Sequence, residues 1–274
     1  MVVAACLLAS PGYGNEALVL RIHPYLGASK LIEKFTPLAN HIATVLEKPV
    51  RIRISPDYKD HIRAIGQGDF DLAYLGPMLY VQTAEKRADL PILARLEVNG
   101  SPTFRGVIFA RQKSSLEKLA DLAGKKMAFG DPNSTMSHLV PRYMLLKAGV
   151  SEDRLAEYGH LSNHENVALG VLMGFFDGGA VKEGVFYKYR DRGLKALAWS
   201  PHISEHVIVA NDHFPQGDIA ALQKNLYQLH HSESGQAILH AIKPSVSALV
   251  PGEGSDFDPL REILHVLSEA GIWP

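Results

Sequence analysis

Residues 130–137, Gly130-Asp-Pro-Asn-Ser-Thr-Met-Ser137, follow a short apolar run, Met127–Phe129, and open a helix-like stretch that ends near Lys147, before Gly149. A strand, a polar turn and a helix in that order make an anion site. The first N–H groups of a helix have no internal acceptor, and the helix dipole places partial positive charge beside them. Ser134, Thr135 and Ser137 add hydroxyl donors next to those amides. The simpler alternative is a capping turn in which Asp131 or Ser134 satisfies the helix end and nothing more. Pro141 falls inside the same helix, where it removes a hydrogen bond and is expected to kink the chain.

Two further segments carry polar groups at similar places. Asp71-Leu-Ala-Tyr-Leu-Gly-Pro77 reads as a buried strand, holding Tyr74, that runs into a Gly-Pro turn and a helix with Tyr80. Loops at the carboxyl ends of strands are where open α/β sheets place ligands. His164 lies in Leu161-Ser-Asn-His-Glu165, just ahead of another helix; a lone histidine there serves equally well as a cap or a surface residue. The chain has no G-x-S-x-G elbow, no G-x-G-x-x-G, no H-E-x-x-H and no kinase set. Gly124-Lys-Lys126 lacks the upstream glycine and the following Ser/Thr of a phosphate-gripping loop. His160/His164 and His202/His206 have i, i+4 spacing, but intervening turn residues break the continuous helix that a metal pair requires.

The elements that must position these residues alternate. Strand-like runs at Ala17–Ile22, Val50–Ile54, Phe70–Leu75, Val107–Ala110, Met127–Phe129, Gly178–Val181 and Val207–Ala210 are separated by helical spacing. The predicted helices are Ser29–Leu46, Asp60–Ile65, Leu116–Leu122, Ser134–Lys147, Glu165–Phe175 and Ile219–His230. Such alternation predicts an α/β architecture, mainly parallel, in two lobes. The 274 residues are 46% hydrophobic and 21% charged, with Lys+Arg 28 against Asp+Glu 29. That composition suits a globular core and disfavours a nucleic-acid or anionic-membrane partner. No stretch approaches the roughly 18–20 apolar residues of a membrane span. The single cysteine, Cys6, excludes an internal disulfide and a cysteine metal site. Residues 1–14 read as the remnant of an export signal, and Val3-Ala-Ala-Cys6 is similar to a lipoprotein cleavage box; a buried first strand or frayed terminus is the alternative.

Together the segments resemble the phosphonate-binding component of bacterial ABC transporters, a family that also takes phosphate-, phosphite- and arsenate-type oxyanions. The matching stretches are Phe35-Thr-Pro-Leu-Ala39, Ser55-Pro-Asp-Tyr58, Asp71–Pro77, Leu119-Ala-Asp-Leu-Ala-Gly-Lys125, Phe129–Thr135 with Leu139-Val-Pro141, Asn163-His-Glu165 and Trp199-Ser-Pro201. The resemblance implies a two-lobed periplasmic binding protein of type II, each lobe a mixed, mostly parallel sheet flanked by helices, with ligand in the cleft. It places lobe one at 15–104 plus 207–274, lobe two at 105–206, and hinge crossings near 103–107 and 204–208. The family's anion contacts map to Tyr58, Ser134, Thr135 and His164, with Tyr74 close by.

Where the chain departs from the family pattern, it points to a ligand. The family's third hydroxyl falls on Met136, leaving Ser137 as substitute, and an anion-contacting tyrosine falls on Phe104, followed by Arg105. The two carboxylates that hold an aminoalkylphosphonate's ammonium fall on Gly184 and His206, beside Lys182 and Glu183. A buried ammonium without a counter-charge costs several kcal/mol. The expected ligand is therefore a compact oxyanion without an amine: phosphate, arsenate, phosphite or a simple phosphonate. The expected protein is an exported, non-catalytic, cofactor-free monomer that serves an ABC permease, with a membrane sensor kinase as the alternative partner. A metal carrier and an enzyme on the same scaffold are further alternatives.

Overall fold

The computed structural model describes residues 17–87 and 90–273; the expectations for residues 1–14 and Cys6 lie outside them. From the amino end the elements run β1 (Leu18–Ile22), α1 (Ala28–Leu46), β2 (Val50–Ile54), α2 (Tyr58–Gly66), β3 (Leu72–Leu75), α3 (Pro77–Ala84) and β4 (Ile92–Val98). Then come β5 (Thr103–Phe104), β6 (Gly106–Arg111), β7 (Lys126–Phe129), α4 (Val140–Lys147), β8 (Glu157–His160), α5 (His164–Leu172), β9 (Gly178–Lys182) and α6 (Glu183–Arg190). The chain continues through β10 (Leu194–Trp199), β11 (Ile203–Ser204), β12 (Val207–Ala210), α7 (Gln216–Gln228), α8 (Glu233–Ile242), β13 (Val246–Val250) and α9 (Asp258–Glu269). None of the described helices is long and apolar enough to cross a membrane.

Two sheets result. The first has the order β13-β4-β12-β3-β1-β2 and the second β10-β6-β9-β7-β8, with β11 and β5 paired as a separate ribbon between them. The protein is α/β and two-lobed. The expectation of mainly parallel sheets is corrected: two of five pairings in the first sheet and two of four in the second are parallel. The reason is connectivity. β4 carries the chain out of the first sheet and β12 brings it back, so these neighbours must run in opposite directions. The parallel triplets β2-β1-β3 and β8-β7-β9 remain, and their carboxyl ends carry the residues singled out above.

The packing follows the apolar spacing. In α1 the buried residues Leu31, Phe35, Leu38, Ala39, Ile42 and Leu46 recur every three or four positions and cover one face of the first sheet. Each large apolar side chain fully buried in this way contributes about 1.5–3 kcal/mol. In the second lobe, a Cβ on Gly179 would meet Val171 at 2.8 Å and Phe109 at 2.9 Å, so only glycine lets α5 press this closely on β9. That close approach sets the amino end of α5 beside the carboxyl end of β9. α9 packs on both α3 and α4, bracing the two lobes through Leu260, Ile263, Leu264 and Leu267.

Two predicted helices differ. Leu116–Leu122 is a single 3-10 turn at Leu119–Leu122, because the Asp121 carboxylate accepts the N–H groups of Glu117 (2.9 Å) and Lys118 (3.1 Å) and closes the turn on itself. Ser134–Lys147 divides into a wide π-turn, Thr135–Leu139, and then α4. Pro141 therefore begins α4 instead of kinking a longer helix. The carbonyl that its missing N–H would have served, that of Ser137, accepts the Gly130 N–H at 3.0 Å and draws the loop closed.

Candidate functional site

The loop 130–137 is held by its carbonyls. The Gly130 carbonyl accepts His160 Nδ1 at 2.7 Å, the Asp131 carbonyl accepts the Ser134 N–H at 2.9 Å, and the Pro132 carbonyl accepts His138 Nδ1 at 2.7 Å. Burial holds His138 well below the usual imidazole range, at about 4, so it is neutral and its Nδ1 carries the proton. With these carbonyls tied down, the amides at the start of the π-turn keep the free position that helix geometry gives them. Ser134 Oγ accepts the Ser137 N–H at 3.3 Å and retains its own proton to donate. Thr135 Oγ1 accepts the Met78 N–H at 3.2 Å, which joins this turn to the start of α3 in the other lobe. Two helix amino ends, one from each lobe, thus meet.

Two more converge there. Tyr58 opens α2 after its cap Asp57, which accepts the Asp60 N–H at 2.7 Å. The Tyr58 phenol is pushed up by burial and then by nearby Asp131 of the second lobe, so it stays a neutral donor. His164 opens α5; its Nδ1 accepts the Lys182 N–H at 3.2 Å, which leaves the proton on Nε2. Burial first, then Lys182 and His206, lower the His164 imidazole to about 3, so it too is a neutral donor. Lys182 ends β9 with its ammonium 5.7 Å from the Tyr25 ring.

The floor is aromatic. The rings of His23, Tyr74 and His206 lie 5.3–5.6 Å apart with planes within 16° of parallel, and Phe104 sits 5.7 Å from His206. Tyr74 is buried, with its ring against Phe35.

Several expected residues are placed elsewhere. Ser137 does not replace the hydroxyl lost at Met136: it is fully buried and donates to the Ala180 carbonyl at 2.5 Å. The Met136 side chain turns into the core beside Ser200, leaving only its backbone at the turn. Arg105 stacks 4.2 Å over Trp199 and pairs with Glu183 at 3.2 Å, so neither that cation nor that carboxylate points to the cleft. His160 and His164 of the spaced pair hold different backbone partners. His23, Tyr25 and Glu205 stand in no sequence motif, although His23-Pro-Tyr25 directly follows a buried strand of the type whose carboxyl end builds sites.

A ring of helix amino ends, hydroxyls and one cation suits a small tetrahedral anion. The family model described as the periplasmic substrate-binding protein of phosphonate ABC transporters matches residues 20–257. The chain belongs to this family. It is a family of substrate-binding proteins, not of enzymes.

Among curated relatives, the phosphate-import protein PhnD of Mycolicibacterium smegmatis is 28% identical over 214 residues, 72% of this chain and 67% of that protein. The phosphonates-binding periplasmic protein of Escherichia coli is 27% identical over 172 residues, which cover 59% of this chain and 51% of its own length. A probable phosphite-binding protein of Prochlorococcus marinus is 23% identical over 189 residues, 66% of this chain and 63% of that protein. The match therefore spans about half to two thirds of these relatives' lengths. In fold, the chain is similar to PhnD1 of Prochlorococcus marinus in complex with methylphosphonate, with TM-score 0.81 and 20% identity over 93% of this chain and 99% of that one.

Proposed function

We propose that this protein is the periplasmic receptor of an ABC importer for a compact tetrahedral oxyanion without an amine: phosphate, arsenate, phosphite or a simple phosphonate. The observation that carries this is the Thr135–Met78 bond, which brings two helix amino ends together across the cleft. Ser134, Thr135, Tyr58 and His164 supply donors to the anion, Lys182 supplies the charge, His206 completes the contacts, and Phe104 and Tyr74 shape the wall. Glu183 is engaged with Arg105 and Glu205 with His206, so neither is free for a ligand ammonium. The names of the Mycolicibacterium and Prochlorococcus relatives, phosphate-import and phosphite-binding, agree with a compact ligand.

Lobe one is 15–104 with 207–274, lobe two is 105–206, and the β5–β11 ribbon is the hinge, with crossings near 103–107 and 204–208. Closure of the lobes over the anion adds the second lobe's donors to a ligand first met by either half.

A thermal-shift panel of phosphate, phosphite, arsenate, methylphosphonate and aminoethylphosphonate tests the reading. At a hundred times Kd a ligand stabilises by about 2.7 kcal/mol. At least one of the first four is expected to do so, and aminoethylphosphonate to lag behind. A clear preference for aminoethylphosphonate overturns the ligand class, and silence from all five overturns the function.

A further inference from the structure

Glu205 has 3% exposure, yet it is ionised. Burial alone would raise its carboxyl, but the hydrogen bonds it accepts from His206, with the positive charge of Lys243, outweigh burial and hold it low. Its Oε2 accepts His206 Nδ1 at 2.7 Å and the His206 backbone N–H at 3.1 Å. Nδ1 therefore carries a proton, and in the neutral ring Nε2 presents a lone pair. That nitrogen faces the amino end of α3, 3.6 Å from where a Cβ on Gly76 would stand, with His23 Nε2 at 3.8 Å from the same point. His23 likewise donates Nδ1 to the Tyr74 carbonyl at 3.1 Å, so its Nε2 is also an acceptor. The cleft thus has two polarities: donors from Thr135 and His164, and imidazole acceptors from His23 and His206.

We propose that Glu205 and His206 form a proton-reading pair that selects oxyanions still carrying a hydroxyl. Such a ligand donates its P–OH or As–OH to His206 Nε2. If the same proton crosses to Nε2, an imidazolium faces a more highly charged anion; the proton count and total charge are unchanged. Sulfate has no proton to give, so its oxygen lone pairs meet the Nε2 lone pair unless a proton is taken from solvent. Sites built to hydrogen-bond a ligand OH reject analogues lacking it strongly. The groups facing His206 from other elements are His23 and Tyr25 after β1, Tyr74 on β3 and Phe104 on β5, with His164 and Lys182 across the cleft. Glu205 supplies the negative charge among them. Glu205 is a positioning residue, acting through His206, and the inference rests on the oxyanion reading of the cleft.

Calorimetry with inorganic phosphate and with sulfate on the wild type, Glu205→Gln and Glu205→Leu tests it. A glutamine carbonyl takes the place of Oε2, accepts both His206 N–H groups and keeps the proton on Nδ1; leucine removes the acceptor, and the ring returns to the Nε2–H form that free imidazole favours, turning the acceptor into a donor. Phosphate affinity is expected to fall about 10- to 100-fold in Glu205→Leu, while sulfate affinity rises; Glu205→Gln keeps the wild-type preference. In parallel, long-range 15N NMR of the ligand-free proteins is expected to find the His206 proton on Nδ1 in the wild type and Glu205→Gln and on Nε2 in Glu205→Leu, a readout that a merely structural role would not move. An unchanged phosphate-to-sulfate ratio in Glu205→Leu, or an unprotonated Nδ1 in the wild type, overturns the pair while leaving the cleft reading intact. If the wild type binds neither phosphate nor any other anion of the panel, the cleft reading itself fails and the pair fails with it.

Discussion

Replacing Gly76 with valine is expected to abolish oxyanion binding. Gly76 caps α3 with φ −72° and ψ 162°, an extended conformation that any residue adopts and that suits the position before Pro77. No backbone strain opposes the change. An added Cβ stands 3.6 Å from His206 Nε2 and 3.8 Å from His23 Nε2, in ordinary contact with both. The methyl groups beyond it cover the two acceptors and the amino end of α3, where the account places the ligand. Gly76→Ala, which adds only the first carbon, is expected to fold with a near-native thermal midpoint and to lose about 1–3 kcal/mol of binding, the usual cost of a polar group left without its partner. Titration calorimetry with phosphate and a melting curve on each variant decide the matter. Wild-type affinity in Gly76→Val means the ligand lies elsewhere.

The second large effect is at Lys182. Burial lowers its ammonium first, and Lys243 and Lys34 lower it further, against Glu205 and Glu165, which raise it. A cation held against burial and like charge is costly in the empty protein and useful only when an anion arrives. Lys182→Met is therefore expected to leave the melting temperature of the ligand-free protein unchanged or higher, while weakening phosphate binding by about 2–5 kcal/mol. Lys182→Glu reverses the sign in the cleft and is expected to eliminate measurable binding. A structural role predicts the opposite pattern, with stability lost and affinity kept.

Much of this arrangement was legible because it is local. The strand, polar turn and helical stretch at 127–147 can be read from residue types and spacing alone, as a capping turn or as an anion site alike, and the apolar rhythm of Ser29–Leu46 marks its helix to within one residue at its start. What stayed hidden depends on contacts between distant segments. Nothing in the order of residues says that Ser137 turns inward to the Ala180 carbonyl, 43 positions away, or that Arg105 finds Glu183 and Trp199. Pro141 looked like a kink because the wide turn ahead of it, closed by Gly130, is a tertiary feature. The direction of β4 and β12 was equally unreadable, since short buried runs look alike whichever way the chain travels. His23 and Glu205 gain their meaning only from His206, which the fold brings beside them.

The position of the anion is the most direct test. Crystals grown with arsenate and measured at the arsenic edge locate it without interpretation of weak density. The predicted result is one strong anomalous peak within hydrogen-bond distance of the Thr135 hydroxyl and the His164 imidazole, between the start of α3 and the π-turn at 135–139. A fully occupied arsenate anywhere else on the molecule, with that space empty, contradicts it.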